Sequence, residues 1–139
     1  MVIGEEYRFS TYGSVAVQHP VLGPFSLELE DADVAQWYQS ALVKNIGPGN
    51  LTSLSVQDSP DGATWTNCND RTGLMVPLTL GGAGSEGNMS WVFNNNARQF
   101  RFVVSQVSLD VVGPPAYNTQ NTTVTIKLTQ TERSPLGIA

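Results

Sequence analysis

Four carboxylates that lie close together in the first quarter of the chain are the first candidates for chemistry. They are Glu28, Glu30, Asp31 and Asp33. Two carboxylates that flank a glycosidic bond can hydrolyse it, one as the acid and one as the base or nucleophile. However, alternation along a strand directs Glu28 and Glu30 to the solvated face, and the two aspartates flank a predicted turn. We therefore expect a solvated acidic rim here rather than a catalytic pair.

A second group of oxygen-bearing side chains lies around one predicted turn and could hold calcium. Its members are Asp58, Asp61, Asn67, Asn69 and Asp70. Calcium prefers carboxylate and amide oxygens, and this group offers both. Their spacing does not match the loop of an EF-hand. The sequence therefore leaves a calcium site open beside a purely structural interpretation.

The structural interpretation of this region is a β-hairpin. Leu51–Asp58 and Ala63–Asn67 are predicted strands, joined by Ser59-Pro60-Asp61-Gly62. Proline presets φ for the second turn position, aspartate suits the third, and glycine can adopt the left-handed conformation that follows. Trp65 alternates with two threonines in the returning strand and is predicted to fill one end of the core. Backbone geometry thus accounts for most of this acidic cluster.

The remaining reactive groups do not form a recognisable catalytic centre. His19 is the single histidine, and no nucleophile motif accompanies it. Cys68 is the single cysteine, which rules out an internal disulfide and a cysteine-rich zinc site. The glycine-rich segment 81–87 lacks the lysine and the following helix of a phosphate-binding loop. We therefore expect no catalytic residues, no cofactor and no resident metal, in a protein that is not an enzyme.

The charge balance excludes two classes of partner. The chain has 7 basic and 12 acidic side chains, a net charge of -5, and basic residues that are scattered. Binding to nucleic acid needs clustered lysine and arginine, so we expect none. No run of about 18 apolar residues is present, so we expect no membrane span. The N-terminal residues include acids where a secretion signal needs basic and then apolar residues, which predicts no such leader.

The surface is expected to be polar without being strongly charged. Charged residues make up 14% of the chain, against about 25% in a typical soluble domain. Serine, threonine, asparagine and glutamine must therefore cover much of the outside. A surface of that kind is suited to docking against another protein.

Alternation of apolar and polar residues with a period of two dominates the chain from residue 25 onward. Turns rich in glycine, proline and asparagine separate the alternating segments. About eight such segments predict an all-β fold, an antiparallel β-sandwich of the jelly-roll or immunoglobulin-like type. The side chains expected to face its core are Phe25, Leu27, Leu29, Leu54, Val56, Leu74, Val76, Leu78, Leu80, Met89, Trp91, Phe93, Phe100, Phe102, Val104, Val124, Ile126 and Leu128.

The sandwich is expected to span residues 25–130 as one domain. Residues 1–24 form a predicted N-terminal arm and residues 131–139 a C-terminal tail, because glycine and proline interrupt their short apolar pieces. Arms of this kind usually fray unless another surface orders them.

Two adjacent aromatic residues keep a second function open. Side chains alternate across a strand, so either Trp37 or Tyr38 must face outward. Carbohydrate-binding modules stack sugar rings on exposed aromatic side chains of this kind. These two residues are therefore the candidate ligand aromatics of a carbohydrate-binding or adhesion module.

Four segments follow one another in a recognisable order. They are Ala41–Gly47, Leu54–Trp65, Arg98–Val104 and Thr123–Leu128. A strand that ends in an SPDGATW corner is followed by a strand with paired aromatic and arginine residues, and then by a threonine-rich last strand. This succession resembles the small β-sandwich virion structural proteins of tailed bacteriophages. The similarity covers about residues 36–130 and leaves both arms outside it.

The resemblance implies a non-enzymatic virion structural protein: a capsid decoration or cement protein of the phage head, with a neck or tail accessory protein as the alternative. Its partner would be the major capsid protein or another shell protein of the virion, and the chain would form a homo-oligomer. It would join the virion in the host cytoplasm. No catalytic residues come with this family. The partner-binding residues that we predict in the arms are Val2, Ile3, Tyr7, Phe9, Val15, Val17, Leu136 and Ile138.

Overall fold

The computed structural model describes residues 1–11, 21–27, 35–70, 72, 77–94, 96–104 and 122–135. This part of the chain is all-β, with nine strands and no helix that could span a membrane. The strands are β1 (Glu6–Ser10), β2 (Val21–Ser26), β3 (Ala35–Pro48), β4 (Leu51–Ser59), β5 (Thr66–Asn67), β6 (Leu78–Leu80), β7 (Glu86–Val92), β8 (Gln99–Val104) and β9 (Thr122–Pro135).

The strands pair in a nested order. β1 pairs with β9, β2 with β8, β3 with β7 and β4 with β5, all antiparallel. β9 also pairs with β3, and β8 with β4. Sheet 1 therefore has the order β1-β9-β3-β7 and sheet 2 the order β2-β8-β4-β5, with β6 paired to β4 beside β5. This confirms the antiparallel sandwich, and the nesting is that of a jelly roll rather than of an immunoglobulin domain.

Alternate side chains of the two sheets fill the core between them. Phe102 of β8 is fully buried, and its ring meets that of Trp91 from β7 edge-on, with centroids 5.7 Å apart. The predicted core residues that the structure buries are Leu54, Val56, Leu80, Met89, Trp91, Phe93, Phe100, Phe102, Val104, Val124, Ile126 and Leu128. Those that pack against the core while partly buried are Phe25, Leu27 and Leu78. The others, Leu29, Leu74 and Val76, lie outside the described residues.

The segments expected to be arms contribute strands to the sandwich. Phe9 of β1 is 5% exposed within the core, and Leu22 of β2 packs against that core. β9 continues to Pro135 because it pairs there with the start of β3. The sequence signal for β1 and β2 is weak, because β1 has only five residues and a glycine–proline pair interrupts β2. The sandwich therefore extends beyond 25–130 at both ends.

The buried amide of Asn45 joins several connections at one end of the sandwich. This residue of β3 is 0% exposed. Its Nδ2 donates to the carbonyl oxygens of Gly49 at 2.7 Å and Gly81 at 2.6 Å. Its Oδ1 accepts from the Gly47 backbone N–H at 2.9 Å and from Thr122 Oγ1 at 2.6 Å. All the hydrogen-bonding capacity of the amide is used, as burial requires.

Thr122 extends this network from the start of β9 to the end of β1. The backbone N–H of Thr11 donates to the Thr122 carbonyl oxygen at 2.9 Å, and the Thr122 N–H donates to Thr11 Oγ1 at 2.8 Å. Gly47 has a φ of +89°, and a Cβ atom there would lie 2.7 Å from the Cβ of Ala83. A glycine is therefore required where β3 turns toward β4.

Asn45→Ala is expected to destabilise the fold by about 3 kcal/mol or more, because it leaves buried polar groups from several connections without partners. The matched control is Asn88→Ala on the exposed outer side of β7, which should change stability by less than about 0.5 kcal/mol. Urea unfolding of the two variants measures the difference. Equal stability of the two variants would show that the Asn45 network does not hold this end of the sandwich.

Candidate functional site

The acidic corner is a hairpin, as the sequence predicts. β4 and β5 pair with Gln57 opposite Asn67. The returning strand begins at Thr66 rather than at Ala63. Gly62 has a φ of +79°, and a Cβ atom there would lie 2.9 Å from the side-chain oxygen of Gln99.

Asp61 uses its carboxylate to hold the turn. Its Oδ1 accepts hydrogen bonds from the backbone N–H groups of Ala63 and Thr64, both at 2.8 Å, and from Ser59 Oγ at 3.0 Å. These donors lower the pKa of the Asp61 carboxyl, with the bond from Thr64 as the largest cause. The side chain therefore acts as a local backbone cap.

Asp58 faces the opposite way, into the core, where it is 2% exposed. Its Oδ2 accepts from the Asn94 backbone N–H at 2.7 Å and from the Cys68 thiol at 3.2 Å. Its Oδ1 accepts from the Asn94 side-chain amide at 2.9 Å. Burial, and then the nearby Asp58 carboxylate, raise the pKa of the Cys68 thiol. The hydrogen bonds of Asp58 to Cys68 and to Asn94 therefore join the hairpin to the loop after β7.

The predicted calcium ligands are not brought together around one point. Asp70 Oδ1 accepts from both the backbone N–H and the hydroxyl of Thr72, while Asp58 and Asp61 bond to the separate groups described above. Within the described residues, no group of three or more histidine, cysteine, aspartate or glutamate side chains is arranged to hold a metal ion. The predicted acidic rim, residues 28–33, and His19 lie outside the described residues.

The two candidate ligand aromatics face opposite ways. Trp37 packs against the core, while Tyr38 lines a cleft of about 290 Å³ on the outer side of sheet 1. Ser40 and Ser90 hydroxyls lie 3.0 Å apart on this side, and Gln130 Nε2 donates to Glu132 Oε1 at 2.7 Å. The cleft residues are Tyr38, Ser40, Asp70, Thr72, Ser90, Trp91, Gln130 and Glu132. The Tyr38 ring thus lies beside hydroxyl, amide and carboxylate groups.

The outer faces of the two sheets differ in charge. Among the side chains that the structure describes, the strands of sheet 1 direct six charged ones outward, including the pair Lys44–Glu86 with 3.8 Å between Nζ and Oε1. These six are Glu6, Arg8, Lys44, Glu86, Lys127 and Glu132. In the strands of sheet 2 only Asp58 and Arg101 are charged, and Asp58 is buried. Among the described residues, the strands of sheet 2 therefore place a single charge on their outer face.

Arg101 is held in place on this face by two neighbours. Its Cζ lies 4.2 Å from the ring centroid of Trp65, and its Nε donates to Gln57 Oε1 at 2.9 Å. Gln57 Nε2 donates in turn to Asn67 Oδ1 at 3.0 Å, so the row crosses three strands. Partial burial lowers the pKa of Arg101. The prediction that Trp65 fills the core is wrong, because Trp65 lies before β5 begins and stacks on the outer face.

Four of the eight predicted partner-binding residues lie in the described part of the chain. Val2 and Ile3 are exposed, at 57% and 55%, and Tyr7 is half-buried. Phe9 belongs to the core, so its side chain is unavailable to a partner, which corrects that prediction. The other four, Val15, Val17, Leu136 and Ile138, lie outside the described residues.

Sequence reasoning did not single out Arg101 or Gln57 as functional. Alternation along β8 does predict that Arg101 faces outward, which is the only signal available. Its meeting with Gln57 depends on the register between β4 and β8, and its contact with Trp65 depends on the path of the chain into β5. Neither can be obtained from local spacing.

Comparison of the chain with known proteins gives no family assignment. No protein-family model, no curated protein and no solved structure matches it. The function must therefore be inferred from the surfaces themselves.

Asp61→Asn is expected to make folding less sensitive to acid. A lowered pKa in the folded state contributes stability above the ordinary value of 3.8, and this is lost as the pH falls below 3.8 through the folded value. Asparagine keeps an acceptor oxygen for the turn but has no charge to titrate. Urea unfolding at about pH 5 and about pH 2.5 should show a smaller loss of stability in the variant than in the wild type.

Asp61→Ala is the control for the turn itself. It removes the acceptor as well as the charge, so it should lower stability at both pH values. If Asp61→Asn and the wild type lose the same free energy of unfolding on acidification, the turn bonds of Asp61 do not contribute to acid sensitivity.

Proposed function

We propose that this chain is a non-enzymatic structural protein of a phage particle, a jelly-roll module that attaches to the protein shell of the head as a decoration protein. The observation that carries the proposal is the outer side of the sheet 2 strands, where the described residues carry one charge, that of Arg101. Its partner would be the major capsid protein or another shell protein. The resemblance of the sequence to small virion β-sandwich proteins points the same way.

The charge difference between the two faces favours sheet 2 as the docking side. Burying an ionic group against a partner costs free energy unless the partner supplies a matching charge. A partner that covers sheet 1 would have to remove water from six charged groups, of which Lys44 and Glu86 pair with each other. A partner that covers the described part of sheet 2 removes water from one. The buried centres of protein interfaces are depleted in lysine, glutamate and aspartate and enriched in aromatic residues and arginine. Trp65 and Arg101 give sheet 2 that composition.

The size of the face indicates that other segments take part. Four strands about 4.8 Å apart and about six residues long cover at most roughly 400 Å². A standard interface takes about 800 Å² from each partner. The exposed Val2 and Ile3 can supply further apolar area, in keeping with the prediction that the N-terminal segment binds the shell. Contacts between copies of a homo-oligomer on the particle would further increase the total buried area.

The jelly-roll fold is compatible with a shell-binding role but does not distinguish it from other roles. Jelly rolls occur in viral capsid domains and also in lectins. The fold alone therefore does not choose between a shell protein and a sugar-binding protein, and the choice depends on the surfaces.

Ser55→Lys is expected to weaken attachment to the shell by about tenfold or more, because it places a second like charge in the middle of the neutral face. Purified protein is added back to particles of the encoding phage from which its gene has been deleted, and bound protein is measured. Ser90→Lys on the outer side of sheet 1 is the matched control and should bind as the wild type does. Both variants are first checked by thermal unfolding.

Two results would contradict the proposal. Wild-type protein that does not bind such particles would remove the shell-binding function. Equal loss of binding by the Ser55 and Ser90 variants would remove sheet 2 as the docking side. Electron microscopy of particles with and without the protein then distinguishes the head from the neck or tail.

A second candidate function, carbohydrate binding, is favoured by the Tyr38 cleft. Sugar sites combine an aromatic ring with hydroxyl, amide and carboxylate partners, and this cleft offers all four. If the cleft binds a sugar, Tyr38→Phe should retain most of the binding on a glycan array and Tyr38→Ala should abolish it, since only the second removes the ring. Absence of any glycan binding by the wild type discards this candidate.

A further inference from the structure

We propose that Arg101, stacked on Trp65, is the anchor of the sheet 2 face and receives a carboxylate group from a shell protein rather than from a second copy of this chain. This inference rests on the proposed attachment to a shell. It names the partner's chemistry and the residue that recognises it.

The guanidinium of Arg101 is oriented before any partner arrives. The Trp65 ring supports one of its faces, and Gln57 Oε1 accepts from Nε. Its two terminal nitrogens make no hydrogen bond to another described residue, and the salt bridge found among the described residues joins Lys44 to Glu86 instead. A side chain that is already held loses little entropy on binding, so more of the interaction energy contributes to affinity.

Arg101 is half-buried, and the described side chains beside it are uncharged. On the β2 side its neighbour is Gly23, where a Cβ atom would lie 3.1 Å from the Cβ of Arg101, so no side chain covers it from there. The next cross-strand row consists of Ser55, Val103 and Val21, which are small or apolar, and Val103 is itself buried at 9% exposed. A charged pair formed at Arg101 would thus be surrounded by uncharged groups that exclude water, the arrangement found around interface hot spots.

A carboxylate fits this site better than other groups. Arginine offers two parallel N–H groups that match the two oxygens of a carboxylate. Phosphate has the same geometric fit. A nucleic acid, however, is bound through many phosphates and needs many cations, whereas the described part of this face has one cation and the chain has a net charge of -5. An aspartate, a glutamate or a chain terminus of a protein partner meets the requirement.

A second copy of this chain is disfavoured as the occupant. β8 lies inside sheet 2, between β2 and β4, so Arg101 is near the middle of the face. A two-fold contact through this face would place each Arg101 close to its symmetry mate. Two like charges brought together in a neutral interface oppose association. The contact is therefore one between unlike surfaces.

Arg101→Gln is expected to weaken binding to the gene-deleted particles by about 30-fold or more, as for a buried charge pair that loses one member. Arg101→Lys should lose most of this affinity too, because lysine keeps the charge but not the planar fork. Lys44→Gln, which removes one positive charge from the outer face of sheet 1, is the matched control and should bind as the wild type does. Added salt should weaken the binding of the wild type to the particles more than that of the Arg101→Gln variant.

Carbodiimide coupling identifies the occupant directly. In the Arg101→Lys variant the introduced amine can form an amide with a contacting carboxylate, and mass spectrometry of the particles identifies the peptide joined to it. A peptide of a shell protein is expected. A cross-link to a second copy of this chain, or a wild-type dimer in sedimentation that Arg101→Gln dissociates, would overturn the inference.

Failure of this inference is separable from failure of the proposed function. If the wild type does not bind the particles, the shell-binding function falls. If the wild type binds and folded Arg101→Gln and Arg101→Lys bind within about twofold of it, the function stands and the anchor is refuted. Thermal unfolding of each variant establishes that it is folded. If Arg101→Gln does not fold, the binding of Arg101→Lys decides the test alone.

Discussion

Full satisfaction of the buried Asn45 amide is the constraint on which the arrangement of this sandwich depends. A jelly roll brings together connections that are far apart in the sequence, and their backbone groups must find partners where water cannot reach. Asn45 and Thr122 supply these partners at one end, where β3 turns, β9 begins and the 81–85 loop passes. With that end fixed, β9 can pair along its whole length with β3.

Gln39 has a similar role farther along the same strands. The register between β3 and β9 shifts between Ser40 and Ala41. The buried Gln39 side chain donates to the Gln130 carbonyl oxygen at 2.7 Å and accepts from Thr131 Oγ1 at 2.6 Å, so groups left by the irregularity are satisfied. Because the shift also changes which β9 residues face outward, it places Gln130 and Glu132 beside Tyr38.

Two of the acidic residues that the sequence offers as calcium ligands hold backbone and loops instead. Asp61 caps a turn, and Asp58 joins Cys68 to Asn94 inside the core. The described parts of the two outer faces differ, one being rich in charge and the other almost neutral. The shell-binding role that we propose would use the neutral face, because a partner could cover it at little electrostatic cost except at Arg101.

The sequence by itself determined the all-β class, the hairpin at residues 51–67 and the inward residues of the well-alternating strands, because these depend on a period of two and on turn chemistry. Only the tertiary structure decided the rest. The strands near both ends were hidden because their pairing partners lie about 100 residues away, as Phe9 opposite Val124 illustrates. Trp65 was misplaced for the same reason: whether a ring near a strand end faces the core or a neighbouring strand's arginine depends on register between strands, which local spacing does not encode.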